Sequence, residues 1–231
     1  MEQDPYQPGE SPFGTVPPVI LAIAGAMLLA ELAFMFGAQG YVGGPQAVGW
    51  RAMAIQDYGI NGRMVELVLV QGLWEPGFLL RFVSYIFVHG GFTHMAVAAV
   101  MVLALGKMVG EVFSLPATLA VIVVPVIVGA AGWGLILGDT RWLIGGFPAV
   151  YGLIGAFTYI LWTRLGRDGG PRHRAFALIA FLMGIQLVFG LLFGGSSDWL
   201  ADLIAFATGF ALSFVVAPGG WRGLLERMRH S

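Results

Sequence analysis

The sequence predicts an all-α integral membrane protein, a bundle of six transmembrane helices with a structured interfacial loop between spans one and two. Hydrophobic residues make up 58% of the 231 residues and charged residues only 11%. Soluble domains contain about 45–50% apolar and about 25% charged residues, so this composition excludes an ordinary soluble enzyme. The net charge of −1 offers no basic field for nucleic acid. The absence of cysteine excludes disulfides and thiolate sites.

Six stretches carry almost no charge, and each is long enough to approach the 20 or so apolar residues that a membrane helix needs. They are residues 17–40, 92–106, 116–138, 148–162, 175–195 and 199–217. Glu31 and Asp202 are the acids inside these stretches. Charge in the hydrocarbon is costly and usually functional. Glu31 is therefore expected to cap a neighbouring backbone, face a water pocket or bond the helix of a partner.

The basic residues orient the predicted spans. Eight of the twelve lysines and arginines follow spans two, four or six, and the other four lie on the opposite side. The positive-inside bias places both termini in the cytoplasm, and we expect a multi-pass protein of a bacterial inner membrane. Residues 1–16 are then a flexible cytoplasmic tail, residues 17–218 the membrane domain, and residues 219–231 a short basic cytoplasmic tail.

Residues 41–80 join spans one and two and are too many for a plain connector. Aromatic and apolar residues such as Trp50 and Trp74 alternate there with charged residues such as Arg51 and Glu75. Amphipathic aromatic residues are typical of headgroup depth, so the pattern predicts a structured element at the bilayer surface. The alternative is a loosely packed loop.

Two histidines, His89 and His94, flank a Gly-Gly pair in the run Arg-Phe-Val-Ser-Tyr-Ile-Phe-Val-His-Gly-Gly-Phe-Thr-His, which begins at Arg81. A zinc site needs three or four ligands, and His173 and His230 are predicted at the opposite face. We therefore expect no metal. The histidines are expected to hydrogen-bond the loop and the span below it, because buried polar groups need partners.

Three motifs in order resemble the rhomboid intramembrane proteases. The first is the run from Arg81 to His94. The second, Gly-Gly-Phe-Pro-Ala-Val-Tyr-Gly-Leu-Ile-Gly-Ala, begins at residue 145, and the third, Ala-Asp-Leu-Ile-Ala-Phe-Ala-Thr-Gly, begins at residue 201. Six spans with a long first outer loop are also the rhomboid layout. The resemblance covers nearly the whole chain and implies the rhomboid fold.

The resemblance also implies where catalysis would occur, and the reactive residues are replaced at those positions. Phe147 stands at the position of the serine nucleophile, Asp202 at that of the histidine base, and Ala98 at that of an oxyanion-stabilising asparagine. His94 and His89 are retained. A phenyl ring has no nucleophilic atom, and Asp202 has no hydroxyl to activate. The sequence therefore predicts a pseudoprotease with no intact catalytic site and no cofactor.

Other residues that match the motifs are expected to be structural. Tyr151 matches the aromatic residue that packs against the base in active members. Asp202 is expected near Tyr151 and the two histidines. Small residues let membrane helices approach closely, although glycine is also simply common in this chain, at 35 residues. The expected structural set is Arg81, Tyr151, Gly152, Gly155 and Gly209.

Inactive members of the superfamily bind transmembrane segments of other proteins, so the resemblance implies a binding or assembly module in the lipid bilayer. Docking is expected on spans two and five, whose methionines and aromatic residues adapt to varied apolar partners: Met95, Met101, Phe181 and Phe189. The alternative for these residues is contact with lipid. Two other functions stay open: an active intramembrane serine endopeptidase with a rewired site, and a transporter or channel, which the lack of an internal repeat disfavours.

Overall fold

The computed structural model describes residues 16–138, 140–193 and 197–219. Within these ranges the secondary structure is helical apart from an isolated antiparallel bridge between Ile60 and Leu143, which confirms the all-α class. The α-helices in the described ranges are α1 (Pro18–Ala38), α2 (Trp50–Tyr58), α3 (Gly62–Leu69), α4 (Pro76–Ser84), α5 (Phe92–Gly110), α6 (Leu115–Leu137), α7 (Phe147–Arg167), α8 (Ala177–Phe193) and α9 (Trp199–Val216). Short 3₁₀ helices cover Pro45–Gly49, Tyr85–Phe87 and Arg172–Phe176.

Each predicted span coincides with one long helix, namely α1 or one of α5 to α9. In the described part of the chain, α1, α5, α6 and α9 are long and apolar enough to cross a membrane by length and composition. Helix α7 continues beyond the predicted limit of residue 162 to Arg167. Arg164 and Arg167 lie in its last turn, where cations interact favourably with the helix dipole, so charge there does not end the helix.

The helix ends follow signals in the sequence. Proline occupies the first turn of α1, α4, α6 and α7, where its missing N–H has no intrahelical partner to lose. The Asn61 side chain caps α3 by accepting a hydrogen bond from the Met64 N–H at 3.0 Å. Gly138 ends α6 in the left-handed conformation, which glycine adopts without steric cost.

Residues 41–80 contain the 3₁₀ helix Pro45–Gly49, helices α2 and α3 and the first half of α4. One part of this segment packs against the bundle: Val65 of α3 is buried and lies against Gly134 of α6. Arg81 donates hydrogen bonds to the carbonyl oxygens of Gln56 at 2.5 Å and Gly59 at 3.0 Å, which ties α4 to the end of α2. The expected structural role of Arg81 thus has a physical basis, while the depth of this element in the bilayer stays a prediction.

Helix α7 is the central helix and packs most extensively against α9. A Cβ atom on Gly155 would overlap the carbonyl oxygen of Phe206, and one on Gly209 would overlap the carbonyl oxygen of Gly152. The two backbones are therefore in direct contact, which larger residues would prevent. Towards the end of α7 the contact changes to aromatic rings, with Tyr159 and Phe214 at 4.8 Å between centroids.

Candidate functional site

The start of α7 lies beside the loop that carries His89 and the first turn of α5, which carries His94. The ring of Phe147 stacks on the ring of His94, with centroids 5.4 Å apart and planes 19° apart. His89 meets His94 edge to face at 5.1 Å. The loop at the start of α5 and the loop before α7, which the sequence motifs single out separately, thus form one cluster, and we call His89, His94 and Phe147 the histidine cluster.

Both histidines accept hydrogen bonds from backbone amides. The Gly146 N–H donates to Nε2 of His89 at 3.2 Å, and the Gly90 N–H donates to Nδ1 of His94 at 3.4 Å. A ring nitrogen that accepts a hydrogen bond carries no proton. His89, in the loop before α5, is fully buried, and this burial, followed by the charge of His94, lowers the pKa of His89 to about 4. The His89 ring is therefore neutral at pH 7 and suited to hold the loop before α7.

Two glycines let the loop before α7 approach the histidines. Gly145 has φ +101°, and a Cβ there would stand 2.5 Å from Nε2 of His94. Both observations require glycine at this position. A Cβ on Gly146 would come within 2.7 Å of the Met27 methyl group and 3.4 Å of the Ala98 methyl group. Ala98 is fully buried, so its methyl group belongs to the packed wall behind the loop.

Asp202 is buried in the first turn of α9, with 2% of its surface exposed. The charge of its carboxylate acts on the phenols of Tyr85 and Tyr151. Contact of Asp202 with Tyr151 or with the histidines stays a prediction. Tyr85 was not foreseen here; its hydroxyl donates to the Val126 carbonyl oxygen of α6 at 3.0 Å.

Glu31 of α1 forms an ion pair with Arg51 of α2. Each terminal nitrogen of Arg51 bonds one carboxylate oxygen at 2.8 Å, and Nη1 also donates to the His89 carbonyl oxygen at 2.6 Å. This pairing within the chain replaces the roles expected for Glu31, a backbone cap, a water pocket or a bond to a partner. The signal was present in the sequence, because a buried carboxylate needs a cation and Arg51 is the first basic residue after span one.

The residues predicted to dock a partner helix differ in how far their side chains are exposed. Met95 is only 2% exposed and packs in the core, so its assignment to a docking surface is wrong. Met101 is half-buried against the core. Phe181 on α8 is 64% exposed, and the side chain of Phe189 lies outside the described residues. Docking on the outer surface of α5 and α8 stays a prediction, without Met95.

No group of three or more His, Asp or Glu side chains in the described part of the chain is placed to hold a metal ion. What the histidine cluster offers instead is two neutral imidazoles and an aromatic ring. These groups can pack and accept hydrogen bonds. A nucleophile is not among the three members of the cluster.

Comparison with known proteins agrees with the motifs. A family model described as Rhomboid domain matches residues 76–219, which is more than half of the chain and reaches from α4 through α9. No curated protein matches the chain. The matched segment contains the histidine cluster, Asp202 and the glycine contact between α7 and α9. The chain therefore belongs to the rhomboid family.

Proposed function

We propose that this rhomboid-family protein is catalytically inactive and binds transmembrane segments of partner membrane proteins. The observation that carries the proposal is the stacking of Phe147 on His94 at 5.4 Å, at the position that matches the nucleophile of rhomboid proteases. We further propose six spans, both termini in the cytoplasm and a location in a bacterial inner membrane. In the described part of the chain, α1, α5, α6 and α9 have the length and composition of spans, which supports the membrane location.

The chemistry of the histidine cluster favours inactivity. Phe147 supplies no atom that could attack a carbonyl carbon. Its ring covers one face of His94, the histidine that matches an oxyanion donor, and Ala98 cannot replace the matching asparagine as a second donor. Asp202 can accept a proton in principle, but a base without a nucleophile does not open the covalent route. Loss of several groups that act together leaves little residual catalysis.

A rewired protease is the second candidate, and the bonds of two described serines argue against it. Ser84 Oγ donates to the Tyr58 carbonyl oxygen at 2.9 Å, and Ser213 Oγ donates to the Gly209 carbonyl oxygen at 2.7 Å. An activated serine needs a general base within hydrogen-bond reach, and both hydroxyls donate to carbonyl oxygens instead.

Partner binding is supported by the outer surfaces of α5 and α8. Val100 of α5 and Phe181 of α8 are exposed by 63% and 64%. Helix α8 makes few contacts with the rest of the described bundle, so a partner helix could pack beside it without displacing core residues. Phe147 fills the position of the reactive hydroxyl, so a docked helix would be held and not cut.

Proteolysis is tested with purified protein and a helix-destabilised transmembrane substrate, alongside an active rhomboid as the positive control. We expect no cleavage and no labelling by a fluorophosphonate probe. Phe147→Ser should not restore activity, because the matching base and asparagine remain absent. Cleavage that disappears on substitution of a single serine, such as Ser84→Ala, would show a rewired protease and overturn the proposal.

Partner binding is tested with photo-crosslinking residues introduced singly at Val100, Phe181 and Leu29. Leu29 of α1 is the matched control, because it is 69% exposed and does not belong to the proposed docking surface on α5 and α8. We expect adducts to one defined membrane protein at Val100 and Phe181 but not at Leu29. Equal adducts at all three positions, or adducts to lipid alone, would contradict docking on α5 and α8.

A further inference from the structure

We infer that the end of α7 and the 3₁₀ helix after it bind the phosphate headgroup of an anionic phospholipid. The site consists of four arginines within eleven residues, Arg164, Arg167, Arg172 and Arg174, which we call the arginine cluster. All four side chains are exposed. This binding is separate from the proposed partner docking and from the histidine cluster.

With α7 as one of the six proposed spans, on which this inference rests, the length of α7 places the arginine cluster at headgroup depth. Helix α7 has 21 residues from Phe147 to Arg167, which corresponds to about 30 Å, the thickness of the hydrocarbon core. The residues buried in the bundle lie between Pro148 and Ile160, and the arginines begin one turn later. Guanidinium groups at this level meet lipid phosphates and not acyl chains.

The charge of the arginine cluster is not balanced by nearby acids. Asp168 is the one acidic residue between positions 164 and 174. Within the described residues, Arg164, Arg167 and Arg174 form no ion pair. A planar guanidinium binds two phosphate oxygens at once, which suits arginine to phosphate recognition. Neighbouring guanidinium groups that lack carboxylate partners are therefore complementary to an anionic headgroup.

One arginine of the cluster is held in place. The guanidinium carbon of Arg172 lies 4.6 Å from the centroid of the Trp162 ring, a cation–π contact. A Cβ on Gly166 would overlap this guanidinium, so the glycine gives Arg172 room to lie against α7. An ordered cation loses less side-chain entropy when a phosphate binds. Trp162 is also of the residue type that is enriched at the headgroup level.

A lipid phosphate is favoured over free phosphate because the cluster stands at the edge of the bilayer. Anionic lipids concentrate negative charge in that layer and attract juxtamembrane arginines. Free phosphate has to be drawn from solution and gains nothing from the neighbouring apolar helix surface. The positive-inside bias by itself explains only why basic residues lie on this side of the membrane. The inferred site predicts in addition that the arginine cluster binds an anionic phospholipid more tightly than a zwitterionic one.

Trp162 supplies a reporter inside the site. The protein in detergent micelles is titrated with phosphatidylglycerol or phosphatidylcholine, each brominated near the headgroup end of the acyl chains. The quenching of Trp162 fluorescence is obtained as the difference between the wild type and Trp162→Phe. We expect phosphatidylglycerol to quench at lower concentration than phosphatidylcholine. Equal quenching by the two lipids would overturn the inference.

Two paired variants separate phosphate recognition from folding. Arg164→Gln with Arg167→Gln should weaken phosphatidylglycerol binding about fivefold per arginine, about 25-fold in all. Arg164→Lys with Arg167→Lys keeps the charge and should stay within about fivefold of the wild type. Arg63→Gln is the matched control, because Arg63 is an exposed arginine paired with Glu66 on α3, away from the cluster.

Two results would contradict the arginine cluster as a lipid site. Equal weakening by Arg63→Gln and by the glutamine pair would show a nonspecific charge effect. Displacement of phosphatidylglycerol by inorganic phosphate at constant ionic strength would show a site for free phosphate and not for lipid. Unchanged elution of each variant on size exclusion would establish that lost binding does not come from unfolding.

Discussion

Removing Arg51 should destabilise the fold more than removing Glu31. The Glu31 carboxylate is 1% exposed, whereas the Arg51 side chain is 27% exposed. Arg51→Met leaves a carboxylate inside the bundle without its cation. Glu31→Gln leaves a guanidinium that still reaches water and keeps its bond to the His89 carbonyl oxygen. The two halves of this pair are therefore not equivalent.

The magnitudes follow from burial. Removing one partner of a buried ion pair lowers the free energy of unfolding by about 3–5 kcal/mol. Because Arg51 is partly exposed, we expect the lower value, about 3 kcal/mol, for Arg51→Met. Glu31→Gln keeps one hydrogen bond and should cost about 1–2 kcal/mol. The double variant Glu31→Leu with Arg51→Met removes both charges and should cost little, because an apolar pair of similar volume often replaces a buried ion pair without loss.

The assay is a double-mutant cycle of unfolding free energies. Unfolding is induced with SDS in mixed micelles and followed by tryptophan fluorescence, with Glu31→Leu, Arg51→Met and the double variant compared with the wild type. The coupling energy should be about 3–4 kcal/mol in size, the difference between the summed single costs and the small cost of the double variant. The same cycle on the exposed pair of Arg63 and Glu66 serves as the control and should show no measurable coupling.

Additivity of Glu31→Leu and Arg51→Met within about 0.5 kcal/mol would refute the reasoning, because it would mean that the carboxylate does not depend on Arg51. A second measurement follows the loop before α5. The chain has no cysteine, so Gly90→Cys provides a unique label. Arg51→Met should speed its reaction with a maleimide, since the His89 carbonyl oxygen loses its donor.

Three further predictions concern packing, hydrogen bonding and pH. Gly155→Val should lower the free energy of unfolding by at least about 3 kcal/mol or prevent folding, because a side chain there meets the α9 backbone. Gly25→Val on α1 is the control and should change the free energy of unfolding little, because there is open space around Gly25. Tyr85→Phe should cost about 1 kcal/mol in unfolding free energy by removing the donor to Val126; an unchanged value would mean that this bond contributes nothing. The pKa of His89 is about 4 in the fold and 6.5 when unperturbed. Between these pH values the unfolded state binds more protons than the folded state. The free energy of unfolding should therefore be highest above pH 6.5 and should fall as the pH falls towards 4. His89→Gln should flatten that part of the pH profile of melting temperature, and an unchanged profile would contradict the assignment.

Local patterns predicted the helices and marked His89, His94 and Phe147 as residues of a site, but not which residues meet across the fold. Apolar runs mark helices, whereas the motifs do not place the ring of Phe147 on that of His94. The burial of Met95 could not be read from the sequence, because the core and the lipid are both apolar and α5 has no polar face to mark its outside. The pairing of Glu31 with Arg51 depends on the path of α2, which hydrophobic periodicity does not specify.

The glycine contact between α7 and α9 is a fulcrum, that is, the point about which a tilt of α7 would turn. The backbones touch at Gly152 and Gly209, and at about 1.5 Å per residue Phe147 lies about 7.5 Å from that point and Arg164 about 18 Å on the other side. Rocking of α7 about this fulcrum would move the arginine end more than twice as far as the histidine end. Against such a tilt, the glycine contact with α9 fixes the position of Phe147 more closely than that of Arg164.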